Sequence, residues 1–430
     1  MVEKKILIVT YYWPPSGGSG VQRWLKFVKY LPSFGWKPYV FTPENPSFET
    51  KDESLVKDIP PEAVVIRFPI WEPYSLFNKL SGKKKNSETL IPGGSKHSLF
   101  QKIATWVRGN FFIPDPRVFW VRPSVQFLKD YLKENQISTI ITTGPPHSVH
   151  LIGLSLKKNN PSLKWLADFR DPWSEWGLLD SLRVGTMARY FHKRLEKKVL
   201  QAADRLITIT PFYVKQFERI SGRNVCLLTN GYDDEDFQGF AVVKHEKFLI
   251  RHVGVVNEKC DPRPFMQAVA SVCREQAEIR NLLQIEFVGS VHPAFKEFVF
   301  ADKVLSDITV FTPAVPHHDL MDIYASSAVL LLILTGYKDA AGYMPGKLFE
   351  YVATGLPILG VGPVDGDAAA LLMETKSGRM IASEDEAEIK STLWQLFSSW
   401  KEGKMLSESS KAVLYSRKEI TGKLASLISP

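Results

Sequence analysis

The sequence predicts an α/β protein of two units, each a parallel sheet covered by helices. Three observations lead there. Its 430 residues exceed the size at which a single core usually stops growing. Short β-rich runs alternate with helical patterns along the first half, which argues for parallel strands joined by helical crossovers. At Phe248 the alternation begins again, without any detectable repeat of the sequence itself.

In the first unit the expected strands are residues 6–10, 38–42, 64–68, 139–143, 165–168, 206–210 and 225–228. The expected helices are 21–32, 123–134, 147–157, 186–203 and 212–221. Asn230-Gly231 marks a turn, and 233–239 reads as polar linker. The second unit opens with a strand at 248–253 ending in Gly254, then a helix from Pro264 to about Glu278. Further strands are expected at 283–288, 307–311, 328–334 and 357–360. The domain boundaries are placed at 1–236, 237–412 and 413–430, the last holding a helix near 421–428 that is free to cross back to the first domain.

Hydrophobic content of 44% and charged content of 23% describe an ordinary globular chain. The formal charge of +8 favours anionic partners. Cys226, Cys260 and Cys273 form no CxxC pair, so neither a disulfide framework nor a zinc site is expected, and a reducing compartment fits. The apolar run at 6–10 is too short for a signal peptide. No apolar run approaches about 18 residues, so no transmembrane helix is expected. The segment 74–122 carries Lys79, Lys83, Lys84, Lys85, Lys96, Lys102, Arg108, Arg117 and Arg122 against only Glu88 and Asp115. With Trp106, Phe111 and Phe112 among these cations, it suits an anionic membrane surface. The alternative is a loop at 79–96 followed by a core-packing helix. A nucleic-acid partner is not expected, because no binding module accompanies the charge. The expected location is cytoplasmic, with the inner face of the cell membrane as a peripheral site.

The most informative stretch is Pro345-Gly346-Lys347-Leu348-Phe349-Glu350. Proline and glycine mark a helix entry, and Lys347 and Glu350 fall three positions apart on one face. The amides of Gly346, Lys347 and Leu348 and the Lys347 ammonium suit phosphate, while Glu350 suits ribose hydroxyls. The alternative is a surface Lys–Glu pair above a core of Leu348, Phe349 and Tyr351. Gly18 and Gly20 follow the first strand and open a helix, where backbone can approach a ligand. The dinucleotide and phosphate-loop spacings are absent. Gln22 and Arg23 lie on that opening turn, placed for an acceptor or phosphate. His147 falls at a helix entrance, where the dipole disfavours imidazolium, and His150 is one turn further in. Each is either a site residue or a satisfied structural histidine. Asp168 and Asp171 flank Arg170 as an acceptor-orienting network or as a buried ion pair. Lys259 and Arg263 follow Gly254 in a proline-bounded turn, where both can meet a diphosphate. Converging cations would stabilise a departing nucleoside diphosphate, so no metal site is expected.

These stretches resemble the retaining GT-B glycosyltransferases, in particular the family 4 group that builds bacterial cell-surface polysaccharides. The resembling parts are Y-Y-W-P-P-S-G-G-S-G-V-Q-R at 11–23, T-G-P-P-H-S-V-H at 143–150, D-F-R-D-P-W at 168–173, N-G-Y-D at 230–233 and P-G-K-L-F-E-Y-V-A-T-G-L-P-I-L at 345–359. The resemblance implies GT-B architecture: two facing Rossmann-like α/β/α domains with an interdomain cleft, the first on the acceptor side and the second holding a nucleotide sugar. It implies transfer of EC 2.4 type with retained anomeric configuration to a lipid-linked or cell-surface glycan, without cofactor or metal. UDP-sugar is the favoured donor and GDP-sugar the alternative. His147 and Asp171 would orient the acceptor, and Lys259, Arg263 and Lys347 would stabilise charge.

Two departures from the family matter. It often carries two glutamates eight positions apart; Glu350 matches the second, and the first falls on Gly342. Cys260 occupies a turn where related enzymes tend to have a basic residue, with Lys259 or Arg263 as substitutes. Two other readings stay open: an inactive sugar-binding or assembly protein, and a nucleotide-sugar epimerase of the same architecture. The sequence does not speak to oligomeric state.

Overall fold

The computed structural model describes residues 3–47, 51–72, 99–175, 177–257, 260–334, 340–404 and 411–429. The chain divides into two compact units, Met1–Thr229 with Ile420–Pro430, and Asn230–Glu419.

The first unit holds β1 (Lys4–Val9), β2 (Trp36–Pro43), β3 (Val64–Phe68), β4 (Thr139–Gly144), β5 (Lys164–Phe169), β6 (Arg205–Thr208) and β7 (Cys226–Leu227). They form one all-parallel sheet in the order β3-β2-β1-β4-β5-β6-β7. Side chains alternate across a strand, so Ile6 and Ile8 enter one core and Leu7 and Val9 the other. Helices Ser19–Tyr30 and Arg417–Ile428 cover the first face, and helices Val118–Glu134 and Ser148–Asn159 the second. A sheet covered on both sides buries both faces of its central strands, which is why Ile6–Val9 reads as a continuous apolar run.

The second unit holds β8 (Phe248–Val253), β9 (Leu283–Val288), β10 (Thr309–Thr312), β11 (Val329–Ile333), β12 (Ile358–Val361) and β13 (Gly378–Ile381). These too are all parallel, in the order β10-β9-β8-β11-β12-β13. Ile250 and Leu331 pack under helices Arg263–Glu275 and Glu386–Lys401. Leu330 and Leu332 pack under helices Gly346–Thr354 and Asp367–Thr375. The short Gly346–Thr354 helix buries Leu348, Phe349, Tyr351 and Val352 and stops at Gly355, whose φ of 71° is left-handed. Each such apolar side chain contributes about 1.5–3 kcal/mol on burial, so packing rather than propensity holds this helix. In both sheets the strand order reverses, between β1 and β4 and between β8 and β11. Open sheets of this kind bind ligands outside the carboxyl ends of the strands at that reversal.

Several expectations need correction. Edge strand β13 was not expected: Gly378 and Arg379 are exposed, so its four residues lack a clear pattern. The run at 307–311 begins as helix, because Asp302 caps Lys303–Ile308 by accepting Val304 N–H and Leu305 N–H, and the strand starts at Thr309. The helix expected to reach Glu278 stops at Glu275, where Gln276 turns extended and a second helix, Ala277–Leu282, follows. The helix expected from Pro123 begins at Val118 and keeps the proline inside it. Of the basic segment 74–122, the part through residue 98, including Lys79, Lys83, Lys84, Lys85 and Lys96, lies outside the described residues. Its later part contains helix Leu99–Phe111.

Candidate functional site

The reversal point of the second unit gathers the residues that could hold a nucleotide. β8 ends at Val253 and turns at Gly254 with φ 135°, and a Cβ there would lie 2.9 Å from Lys347 Nζ. The torsion requires glycine, and the missing side chain leaves the Lys347 ammonium room beside the strand end. Lys347 Nζ donates to Val253 O at 2.8 Å and faces His252 Nε2 at 3.3 Å. His252 Nδ1 lies 3.0 Å from Leu331 O, which can only accept, so Nδ1 carries the proton and Nε2 offers its lone pair to the ammonium. Burial and the nearby Lys347 charge hold the His252 pKa well below its ordinary value, which keeps the ring neutral. Burial lowers Lys347 to about 8, with Cys260 and Glu350 pulling the other way. It remains largely cationic near pH 7, and an arriving anion would favour the charged form.

Lys347 is the second residue of helix Gly346–Thr354, which starts from Pro345 with no side-chain cap and no acidic residue in its first turn. Its mouth therefore combines unneutralised amides, the positive end of the dipole and an ammonium. The Leu348 amide donates to Pro345 O at 3.0 Å, and its side chain is wholly in the core. Glu350 follows on the same helix. One carboxylate oxygen meets His317 Nε2 at 3.2 Å, and the other accepts Tyr324 O–H at 2.8 Å. Burial alone would raise its pKa, but His317, Tyr324 and Arg417 outweigh that and hold it below the usual carboxylate range. Tyr351 accepts Val253 N–H at 3.0 Å and so pins the strand end beside the lysine.

The structure thus brings Gly254, Gly346 and Lys347 together, with Glu350 one turn along. Arg263 opens helix Arg263–Glu275, half exposed, with its guanidinium closed on Asp261 at 2.7 Å. Lys259 lies outside the described residues. Cys260 is buried, its thiol directed at Ile333 O and its pKa raised by burial. Gly342 is buried in a short turn of helix and presents no side chain.

In the first unit, Gly18 caps helix Ser19–Tyr30 with φ 88°. Arg170 joins the glycine turn to the end of β4, donating to Gly20 O at 2.6 Å, Gly144 O at 3.2 Å and Pro145 O at 2.5 Å. Asp168 resolves as a buried structural ion pair. It accepts Arg23 Nε–H at 3.2 Å and NH2 at 2.9 Å, Trp24 Nε1–H at 2.7 Å and Thr143 O–H at 3.0 Å. Arg23, placed by the sequence near an acceptor or phosphate, is instead buried on that carboxylate and on Thr229 O. Asp171, half-buried, follows Arg170; burial raises its pKa and Arg170 partly offsets this.

His147 stacks flat on Trp173 at 5.0 Å. Burial, with His150 and Arg170 nearby, keeps its pKa well below the ordinary value, so the ring is neutral. His150 is wholly buried against Phe169, bonded through Nδ1 to Thr142 Oγ1 at 2.8 Å, and lowered to about 3. Two residues missed in the sequence stand behind this pair. On helix Thr186–Ala202, His192 Nδ1 accepts Trp173 Nε1–H at 3.1 Å, and Glu196 accepts the amide and hydroxyl of Ser174. The signal was present: Ala188, His192, Glu196 and Val199 lie on the buried stripe of that helix, and two of them are ionisable. Burial raises Glu196 to about 7, against Ser174 bonds that lower it.

That rise has a testable sign. A carboxyl whose pKa is raised on folding stabilises the fold below its unfolded value and loses the contribution as pH climbs through about 7. The contribution is about 3 kcal/mol at most. Glu196→Gln, a mimic of the neutral acid, is expected to gain stability relative to the parent between pH 5 and pH 8 in denaturant unfolding. An unchanged difference across that range would show Glu196 ionised in the fold.

Among the described residues, no group of three or more His, Cys, Asp or Glu side chains is placed to hold a metal ion. No helix among them is long and apolar enough to cross a membrane.

No protein-family model matches the chain. No curated protein sequence matches it either. Solved structures do. The sucrose-phosphate synthase of Thermosynechococcus elongatus aligns at 14% identity and TM-score 0.63, over 99% of this chain and 98% of that one. A glycosyltransferase from Rickettsia africae aligns at 12% identity and TM-score 0.64, over 99% and 98%. HepE of Anabaena, solved in complex with UDP-glucose, aligns at 11% identity and TM-score 0.59, over 99% of each. At these identities the likeness carries fold alone. The chain has a GT-B-like fold.

Proposed function

We propose that this protein is a retaining, metal-independent glycosyltransferase that uses a nucleotide-sugar donor, with UDP-sugar favoured over GDP-sugar. The observation that carries the reading is the Gly254–Lys347–Glu350 arrangement at the strand-order reversal of the second unit. The donor diphosphate lies against the Gly346 and Lys347 amides and the Lys347 ammonium, and Glu350 accepts from the ribose hydroxyls. Gly254, without a side chain, admits the phosphates close to the strand end. Arg263 and Lys259 supply further cations when the diphosphate draws them in.

In the reaction the bond between anomeric carbon and diphosphate oxygen breaks, and the electron pair leaves on the phosphate. Lys347 and the helix amides stabilise the charge that grows there. The acceptor hydroxyl oxygen bonds the anomeric carbon on the same face, and its proton passes to the departing phosphate oxygen. His147, held neutral, and Asp171 orient the acceptor. The acceptor is a lipid-linked or cell-surface glycan of the kind built by the family 4 enzymes, taken up at the cytoplasmic face of the membrane. Gly342 leaves donor-sugar recognition to backbone groups.

Purified protein incubated with a panel of nucleotide sugars and lipid-linked acceptors tests the reading. Product glycan with retained configuration supports it, and an isomerised free donor identifies an epimerase instead. Gly342 favours one competing reading, an inactive sugar-binding protein, for which donor binding without turnover across the panel is the expected outcome. Within the site, Glu350→Gln is expected to weaken donor affinity roughly tenfold, since a bond to a charged acceptor is replaced by one to a neutral amide. Titration of UDP and GDP against the folded variant measures it, and unchanged affinity removes Glu350 from the ribose.

A further inference from the structure

A face of the first unit built by helices Leu99–Phe111 and Thr186–Ala202 carries none of the residues proposed for donor or acceptor. The two helices are locked where one ends and the other begins. Asn110 Oδ1 accepts Gly185 N–H at 2.8 Å, and Asn110 Nδ2 donates to Arg183 O at 3.2 Å. Gly109 permits the approach, since a Cβ there would lie 2.6 Å from Leu182 O. Around this junction large apolar side chains face solvent. Trp106 and Phe111 meet edge-on at 5.7 Å on one helix, and Met187, Tyr190 and Phe191 open the other. Phe111 is 70% exposed and Met187 75%. Exposed apolar side chains gathered in this way mark an interaction surface.

Charge on the same helix narrows the partner. Met187, Tyr190, Phe191, Arg194 and Lys198 follow one another at helical spacing along one face. Lys193, Arg194, Lys197 and Lys198 are all exposed. The helix has one carboxylate, Glu196, and it is buried on Ser174. The neighbouring Asp180 is taken by Arg189 at 2.6 Å. The geometry points to an anionic lipid bilayer as the partner of this face. The inference rests on the reading of a lipid-linked acceptor, and it assigns attachment to residues other than the Lys83-Lys84-Lys85 run. Tryptophan, tyrosine and phenylalanine suit the headgroup boundary, and the cations that follow them suit anionic headgroups. A nucleic acid would use the cations and leave Met187 and Phe111 in water.

The test uses the full chain and vesicles of phosphatidylcholine with and without phosphatidylglycerol. The parent protein is expected to sediment with the anionic vesicles only. A variant with Lys193, Arg194, Lys197 and Lys198 changed to serine is expected to lose binding about tenfold or more. A second variant, Met187→Ser with Phe191→Ser, is expected to lose binding at low salt as well, which a purely electrostatic contact would not. Thermal unfolding and nucleotide titration of each variant show that fold and donor site are intact. These readouts separate failure of the surface from failure of the glycosyltransferase reading. The inference is overturned if the parent ignores anionic vesicles, if either variant binds them as the parent does, or if the face instead captures an oligonucleotide or acidic polypeptide.

Discussion

Lys347→Ala is expected to lower the kcat of sugar transfer by roughly 10²- to 10³-fold, or about 3–4 kcal/mol of transition-state stabilisation. The size follows from position. The ammonium is half-buried at the mouth of an uncapped helix, and its bonds to Val253 O and His252 Nε2 hold it in place before any ligand arrives. A preorganised charge of this kind costs no reorientation as the diphosphate departs. Lys347→Arg is expected to recover little, because Gly254 leaves the space beside Nζ to a point charge and a guanidinium needs a plane. Steady-state kinetics with the productive donor, beside circular dichroism of the variant, provides the check. A folded Lys347→Ala variant with parental kcat would place the diphosphate elsewhere.

Asp168→Ala is expected to destabilise the first unit by about 3–5 kcal/mol, the cost of leaving a buried cation without its partner. Arg23 and Trp24 on the first helix, and Thr143 at the end of β4, all donate to this carboxylate. Its removal leaves these donors unsatisfied in the centre of the sheet. The double variant Arg23→Met with Asp168→Ala is expected to recover much of the loss, because the stranded charge is gone. Guanidinium unfolding followed by near-UV circular dichroism measures both. A loss under about 1 kcal/mol for Asp168→Ala would mean that water reaches Arg23.

Much of the architecture was legible in the chain, for a physical reason. Val329–Ile333 is buried along its whole length, so burial forces an apolar run that survives in the sequence, whereas Leu283–Val288 survives as an alternation with half-buried Gln284 and Glu286. β13, half exposed at a sheet edge, escaped because nothing forces a pattern on it. The nucleotide-binding candidates on the Gly346–Thr354 helix were legible because a helix entrance is a local signal. That Lys347 meets Val253 O, 94 residues away, was not, because no local pattern encodes which strand end a helix will face. Asp168 shows the same limit: sequence left its two roles open, and only the burial of Arg23 beneath it decides for the ion pair. His192 and Glu196 escaped because their partners Trp173 and Ser174 lie 19 and 22 residues away along the chain.

Helix Arg417–Ile428 has a consequence for the order in which this protein is made. Ile420, Leu424 and Ile428 enter the core beneath β1, and Lys164 Nζ closes on Ile428 O and Ser429 O at 3.0 and 2.6 Å. These residues leave the ribosome only after the whole of Asn230–Glu419 has been synthesised. Of the two units, the one translated earlier is therefore completed later. Until then the core that Ile420, Leu424 and Ile428 complete keeps part of its apolar surface open, for the entire time needed to build the other unit.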